Sequence, residues 1–335
     1  MNRKVLILGG LSGILLVTIA ISVMVGSVTV SLSQFPETWQ EISSGQIFSS
    51  HATILWKLRL PRILLACLTG AALGVAGAGY QGLFRNPLAD PFVIGSASGA
   101  AFGVALVIVM GVQTTLFGFS AMSLAAFIGS LLAVLCVFIL AGRNRETPMV
   151  SLLLAGVALS TFLSACVSLL MIVNSEKLFV IFGWLMGSLS GRSWAELQAV
   201  TPLIAVGLVM MWLLSRSLDA LAFGEETAAT LGLGRKKFLA LVLSAGSLLT
   251  AAAVSAAGII GFVGLICPHI ARRLVGARHA YLIPASALLG AMLLLIADDL
   301  ARTIMGNSEL PVGILTAMLG GPFFLFLLKT KRGTA

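Results

Sequence analysis

The chain has 335 residues, 59% of them apolar and only 10% charged, and a formal net charge of +9. A soluble globular chain is about 45–50% apolar and about 25% charged, so this composition cannot cover a water-facing surface. With a mean hydropathy of +1.07 it excludes a soluble protein and points to a polytopic membrane chain whose main solvent is lipid.

The predicted elements follow as apolar runs. Residues 5–30 come after Arg3 and Lys4 and are too long for a signal-peptide core, so they read as an uncleaved span entering from the cytoplasm. A polar outer stretch, 31–57, precedes runs at 63–83, 92–112, 117–141, 149–173 and 194–214. The segment 238–267 carries no charge over thirty residues. That is too long for one span at about 1.5 Å per residue and too short for two. Its flanks, Arg235-Lys236-Lys237 and Arg272-Arg273 with Arg278, are both basic and so both cytoplasmic. A helix to about Ser255, a turn at 258–261 and a short return helix ending near Arg273 satisfy that parity. Runs at 282–300 and 311–328 complete about ten transmembrane helices, all-α, with the N and C termini cytoplasmic. In this layout fifteen of the 21 cations are inside, and only Lys57, Arg59, Arg62, Lys177, Arg192 and Arg302 are outside. That distribution reads the positive excess as a topology signal rather than a nucleic-acid footprint.

Small residues recur at Ala66, Gly70, Gly74, Ala78 and Gly82 and at Gly95, Gly99 and Gly103. Spacing of four puts each set on one helix face, where backbones approach closely. The four cysteines, Cys67, Cys136, Cys166 and Cys267, show no ligand spacing and read as small core residues, and the three histidines are too scattered for a metal site. Acidic residues are scarce in the spans: Glu196 opens the sixth, and Asp298 and Asp299 close the ninth. Asp298 stands four before Arg302, the order of a favourable helix ion pair. A proton-driven carrier needs more buried acid than this. No GxxxxGK[ST] phosphate loop occurs, so the chain cannot hydrolyse ATP by that route. Active transport then requires a partner.

The longest inner loop, about 216–237, carries Leu218, Leu221, Phe223 and Leu231, apolar side chains that need cover, with Glu225 and Glu226 in the first turn of a short helix. Outside, Arg59, Arg62 and Arg302 sit at helix mouths, as snorkelling anchors or as forks for the carboxylates of a partner.

The run Leu58-Arg59-Leu60-Pro61-Arg62, with Gly70-Ala71-Ala72-Leu73-Gly74, then Arg85-Asn86-Pro87-Leu88-Ala89-Asp90-Pro91, Trp184-Leu185-Met186-Gly187-Ser188, Phe262-Val263-Gly264-Leu265 and Glu309-Leu310-Pro311-Val312-Gly313, resembles the FecCD-type permeases. These are the membrane subunits of bacterial ABC importers for iron-siderophores, haem and cobalamin. The resemblance covers about residues 59–328 and leaves the first 57 to hydropathy alone. It implies a single permease domain over 1–335 that forms a homodimer in the cytoplasmic (inner) membrane of a bacterium or archaeon. It also implies two ABC ATPase subunits that hold ATP and Mg, and a periplasmic or lipoprotein solute-binding protein; the chain itself carries no cofactor, metal or catalytic residue. The residues that seat on the ATPases would be Leu218, Leu221, Phe223, Gly224, Glu225, Glu226, Ala228, Leu231 and Gly232. Arg59, Arg62 and Arg302 would dock the binding protein. The cytoplasmic gate would comprise Asn86, Pro87, Leu88, Met149, Val150 and Ser151, and residues 178–189 would hold a short helix at the outer entrance. Two other classes compete: a stand-alone carrier driven by an ion gradient, against which the scarce buried acids argue, and an intramembrane enzyme, for which no nucleophile, base and metal set is present.

Overall fold

The computed structural model describes residues 3–26, 35–45, 49–141, 149–224, 234–305 and 308–332. Among these, helices alternate with short loops and one two-residue hairpin, Thr115–Leu116 with Phe119–Ser120. The helices are α1 (Arg3–Met24), α2 (Phe35–Ser44), α3 (Ser50–Leu83), α4 (Ser96–Met110), α5 (Ala121–Ala141), α6 (Met149–Val173), α7 (Leu178–Leu185), α8 (Trp194–Leu213), α9 (Ser215–Ala222), α10 (Arg235–Ala257), α11 (Val263–Val275), α12 (His279–Thr303) and α13 (Val312–Arg332). Seven of these, α1, α3, α5, α6, α8, α10 and α12, are long and apolar enough to cross a membrane, and α4 and α13 contain shorter apolar segments.

Each predicted run contains a helix, but several ends differ. The polar outer stretch, 31–57, holds α2 and the start of α3. Hydropathy misses this because Lys57 and Arg59 interrupt the apolar signal while the backbone continues. Ile54–Arg59 is π-helical, next to Pro61, which has no N–H to donate. The Trp56 carbonyl there accepts a 2.8 Å bond from the Trp194 indole, with the two rings 4.9 Å apart. That contact ties α3 to the start of α8. Glu196 is not a pathway acid: it completes a capping box with Ser193 at the head of α8, which satisfies two otherwise orphaned amide donors.

α3 is the centre of the molecule and packs on α12, α10, α11 and α8. Its stripe of small residues is where backbones meet. A methyl group on Gly70 would overlap the Gly290 carbonyl, one on Gly74 the Ser286 carbonyl, and one on Gly77 the Gly264 carbonyl. Gly99 and Gly129 face each other in the same way between α4 and α5. Tyr80, fully buried, donates to the Leu243 carbonyl at 3.3 Å and joins α3 to α10. Of the cysteines, Cys267 is buried, Cys67 and Cys166 are half-buried, and Cys136 is exposed on α5. The core reading therefore fails for Cys136, which borders an open apolar recess between α4, α5 and α6.

The parity argument at 238–267 meets a matching break. α10 ends at Ala257 and α11 starts at Val263; Gly258 has φ +73° and Phe262 φ +68°. Ser188 N–H donates to the Ala257 carbonyl at 2.8 Å and Gly313 N–H to Gly187 at 3.4 Å, so the loop after α7 and the start of α13 hold the break.

Candidate coupling, gating and docking sites

At the end of the bundle assigned to the cytoplasm, α9 is amphipathic, and the structure corrects the expectation for two of its residues. Leu218 and Leu221 do not wait for a partner; both are buried within the chain. Leu218 meets the His279 ring over Gly82, the only residue type that leaves room for them. Asp219 fixes the arrangement. Its carboxylate accepts the His279 backbone N–H at 2.8 Å and lies 2.6 Å from Nδ1 of the same residue, capping the otherwise unsatisfied N-terminus of α12. α9, α12 and α3 therefore converge on one point. Phe223 is different: it is 81% exposed, next to Gly224 at φ +116°. Glu225, Glu226, Ala228, Leu231 and Gly232 lie outside the described residues.

The predicted gate falls on two segments. Asn86, Pro87 and Leu88 form an exposed turn after α3, in which the Asn86 side chain accepts the Leu88 N–H at 3.0 Å, an Asx turn. Pro87 and Leu88 border a narrow apolar groove with Phe262, His269 and Phe323. Met149, Val150 and Ser151 open α6, with Val150 exposed. Sequence reasoning passed over Asp90 in the same loop. It accepts the Phe92 N–H at 2.8 Å, yet burial pushes its carboxyl up to about 6.

At the opposite end the three arginines come together, but not on the surface. Arg59, Arg62 and Arg302 are 5%, 8% and 4% exposed. Arg62 donates through Nε and Nη2 to Asp298 at 2.9 Å and through Nη1 to both oxygens of Glu309 at 2.9 Å. Arg302 pairs with Asp298 at 3.4 Å and with Asp299, and Asp299 also accepts the Ser22 hydroxyl at 2.7 Å. Arg59 donates to the Val23 carbonyl at 2.9 Å. The predicted Asp298–Arg302 pair is present, inside a network that also binds α1, α3 and the loop before α13. These arginines line a recess of about 390 Å³ together with Ser190, Arg192 and Glu309. Burial alone would raise the Glu309 carboxyl, but Arg62, Ser190 and Arg302 hold it below its usual range. Glu309 was visible in the sequence only as part of a motif, and Arg192 only as one of six outer cations.

Between the two ends, α6 is mostly uncovered, with 11% of its apolar window buried against 83% for α3. Its exposed face includes Ala158, Thr161, Ala165 and Ser168. Spacing of three and four puts these small residues in one row.

A protein-family model, the FecCD transport family, matches residues 14–330. The cobalamin import system permease protein BtuC of Halobacterium salinarum is 43% identical over 285 residues, 83% of this chain and 74% of its own length. The hemin transport system permease protein HmuU of Yersinia pestis is 42% identical over 281 residues, 83% of this chain and 84% of its own. Among solved structures, an inward-facing ABC transporter described as metal-chelate type superposes with a TM-score of 0.85 at 35% identity, covering 97% of this chain and 99% of that one. The motifs, the helices they sit on and a match along nearly the whole length agree: the chain belongs to the FecCD transport family.

Proposed function

We propose that the chain is the permease subunit of a binding-protein-dependent ABC importer that carries an iron chelate, haem or cobalamin across the cytoplasmic membrane by ATP-driven alternating access. The observation that carries this reading is the end-to-end similarity to permeases with those substrates. A stand-alone ion-driven carrier fits less well, because the buried acids at the end of α12, Asp298 and Asp299, are taken up by Arg62 and Arg302. Hydrolysis belongs to a separate ATPase pair, whose movement reaches the permease through α9 and residues 225–232. Exposed Phe223 supports a partner at that face. The subunit crosses about ten times with both termini inside, works as a homodimer with the pathway between copies, and closes at Asn86–Leu88 and at Met149–Ser151. A carboxylate-bearing solute-binding protein docks at the outer arginines. This is population shift in a two-state element rather than chemistry.

The test is reconstitution of the chain with its ATPase and binding protein in vesicles. Uptake of labelled haem, cobalamin or ferric siderophore that needs both ATP and the binding protein is the expected result. Uptake by the permease alone, driven by a proton or sodium gradient, would replace this reading with the secondary carrier.

A further inference from the structure

The docking arginines pose a physical problem, because the structure buries them and at least two already hold carboxylates. A guanidinium can take one carboxylate side-on and still donate to another, and Arg62 does so, holding Asp298 through Nε and Nη2 and Glu309 through Nη1 alone. One edge holds Asp298, which is fully buried. That acid is shared by Arg62 and Arg302 and has no route to water, so its loss would break two buried pairs at once. The other contact holds Glu309, whose side chain is 35% exposed and stands on the loop between α12 and α13. Glu309 can swing into water and be rehydrated. Arg62 cannot be left half-empty, but a second carboxylate arriving in the same place would restore every bond it loses. The recess beside this pair is lined also by Arg192, whose Nε is buried without a hydrogen bond.

We propose that Arg62 exchanges carboxylates on docking: Glu309 occupies its outward contact in the resting chain, and an acidic side chain of the docking protein displaces Glu309 after meeting Arg192 at the rim. The proposal rests on the docking reading above and adds to it an internal competitor and a further contact residue. It gives the mouth a built-in brake. A weakly acidic or misaligned surface does not open it, because it must outcompete a charge-assisted contact already in place. Displacing Glu309 also releases the loop that leads into α13 and passes the docking event on to that helix.

The experiment measures the affinity of the purified binding protein for the complete transporter in lipid nanodiscs. Glu309→Gln weakens the competitor and should tighten Kd about tenfold, the equivalent of one charge-assisted contact at roughly 1.4 kcal/mol. Arg192→Gln should weaken Kd by a similar factor. If Glu309→Gln does not assemble, Glu309→Asp, which keeps the charge but shortens the reach, should give a smaller tightening. Weakening by Arg192→Gln with no tightening in either Glu309 variant makes Glu309 a structural clamp; it overturns the exchange and leaves docking intact. No change in any of the variants removes the docking reading itself.

Discussion

Asp298 shows how one residue can be worth more than its own pair. It is fully buried between two guanidiniums, so Asp298→Asn keeps the shape but leaves Arg62 with the Glu309 carboxylate alone and Arg302 with the Asp299 carboxylate alone. Breaking a buried pair by removing one partner costs about 3–5 kcal/mol. The expected outcome is a large drop in the thermal midpoint of the detergent-purified chain, and a midpoint within a degree or two of wild type would show that Glu309 and Asp299 suffice for the two arginines. Asp90 makes a second prediction, in pH. Because its folded value is raised to about 6, the protonated form is favoured by folding. Its contribution is complete below the ordinary carboxylate range and is lost as pH rises to about 6 and beyond. Asp90→Asn removes that term, so the variant should gain stability over wild type as pH rises from 4.5 to 7.5. A stability difference that does not vary with pH would mean Asp90 is solvated. The outer arginines were legible in the sequence as cations at helix mouths. Their burial was not, because the acids that neutralise Arg62 lie 236 and 247 residues further along the chain, where no local pattern links them.

Elements were legible wherever packing leaves a periodic trace. Small residues at every fourth position of α3 announced a close crossing, and the backbone that Gly70 and Gly74 meet proves to be that of α12 at Gly290 and Ser286. Gly70→Val should therefore force the two backbones apart, at a cost of about 1–3 kcal/mol or more for overpacking. Gly13→Val on α1, where a side chain would meet nothing within 4 Å, should leave expression and melting unchanged. Equal effects at the two sites would argue that the crossing is not tight. The break between α10 and α11 was legible through charge parity rather than hydropathy, since both flanks are basic. α9 was misread because amphipathy alone does not say what covers the apolar face. The answer, His279 and Gly82 of the same chain, depends on tertiary contact. Asp219 links that face to α12, and α12 carries Asp298 and Arg302 at its other end. Asp219→Ala removes a cap worth about 1 kcal/mol. It should cut binding-protein stimulation of ATP hydrolysis by much more than it lowers the melting temperature; a stimulation loss no greater than the stability loss would reduce Asp219 to a cap.

At the scale of the whole molecule, two long helices, α1 and α6, are left largely bare, and the proposed homodimer must use one such side. α1 and α6 are equally uncovered, and both carry large apolar side chains on their bare surfaces. α1 exposes Ile14, Leu16, Val17 and Ile21, branched chains suited to lipid tails. α6 exposes Leu154, Val157, Phe162, Leu169, Ile172 and Val173, and among them a row of small residues, Ala158, Thr161, Ala165 and Ser168, in which Thr161 and Ser168 spend their hydroxyls on the Val157 and Ser164 carbonyls of their own helix. Such a row gains little from lipid and lets a second helix, or a passing solute, come close. In a two-fold assembly a residue near the axis faces its own copy, so single cysteines there should bridge. With Cys67, Cys136, Cys166 and Cys267 replaced by serine, Ala158→Cys, Thr161→Cys and Ala165→Cys should each give cross-linked dimers with short bifunctional thiol reagents in membranes. Leu16→Cys on α1 should remain monomeric, which controls for random collision in the bilayer. Cross-linking from α1 but not α6 would move the interface, and with it the pathway, to the other side of the bundle. If the proposed homodimer carries its solute between the two copies of α6, bound substrate should also slow the reaction at these three positions and leave the α1 site unaffected.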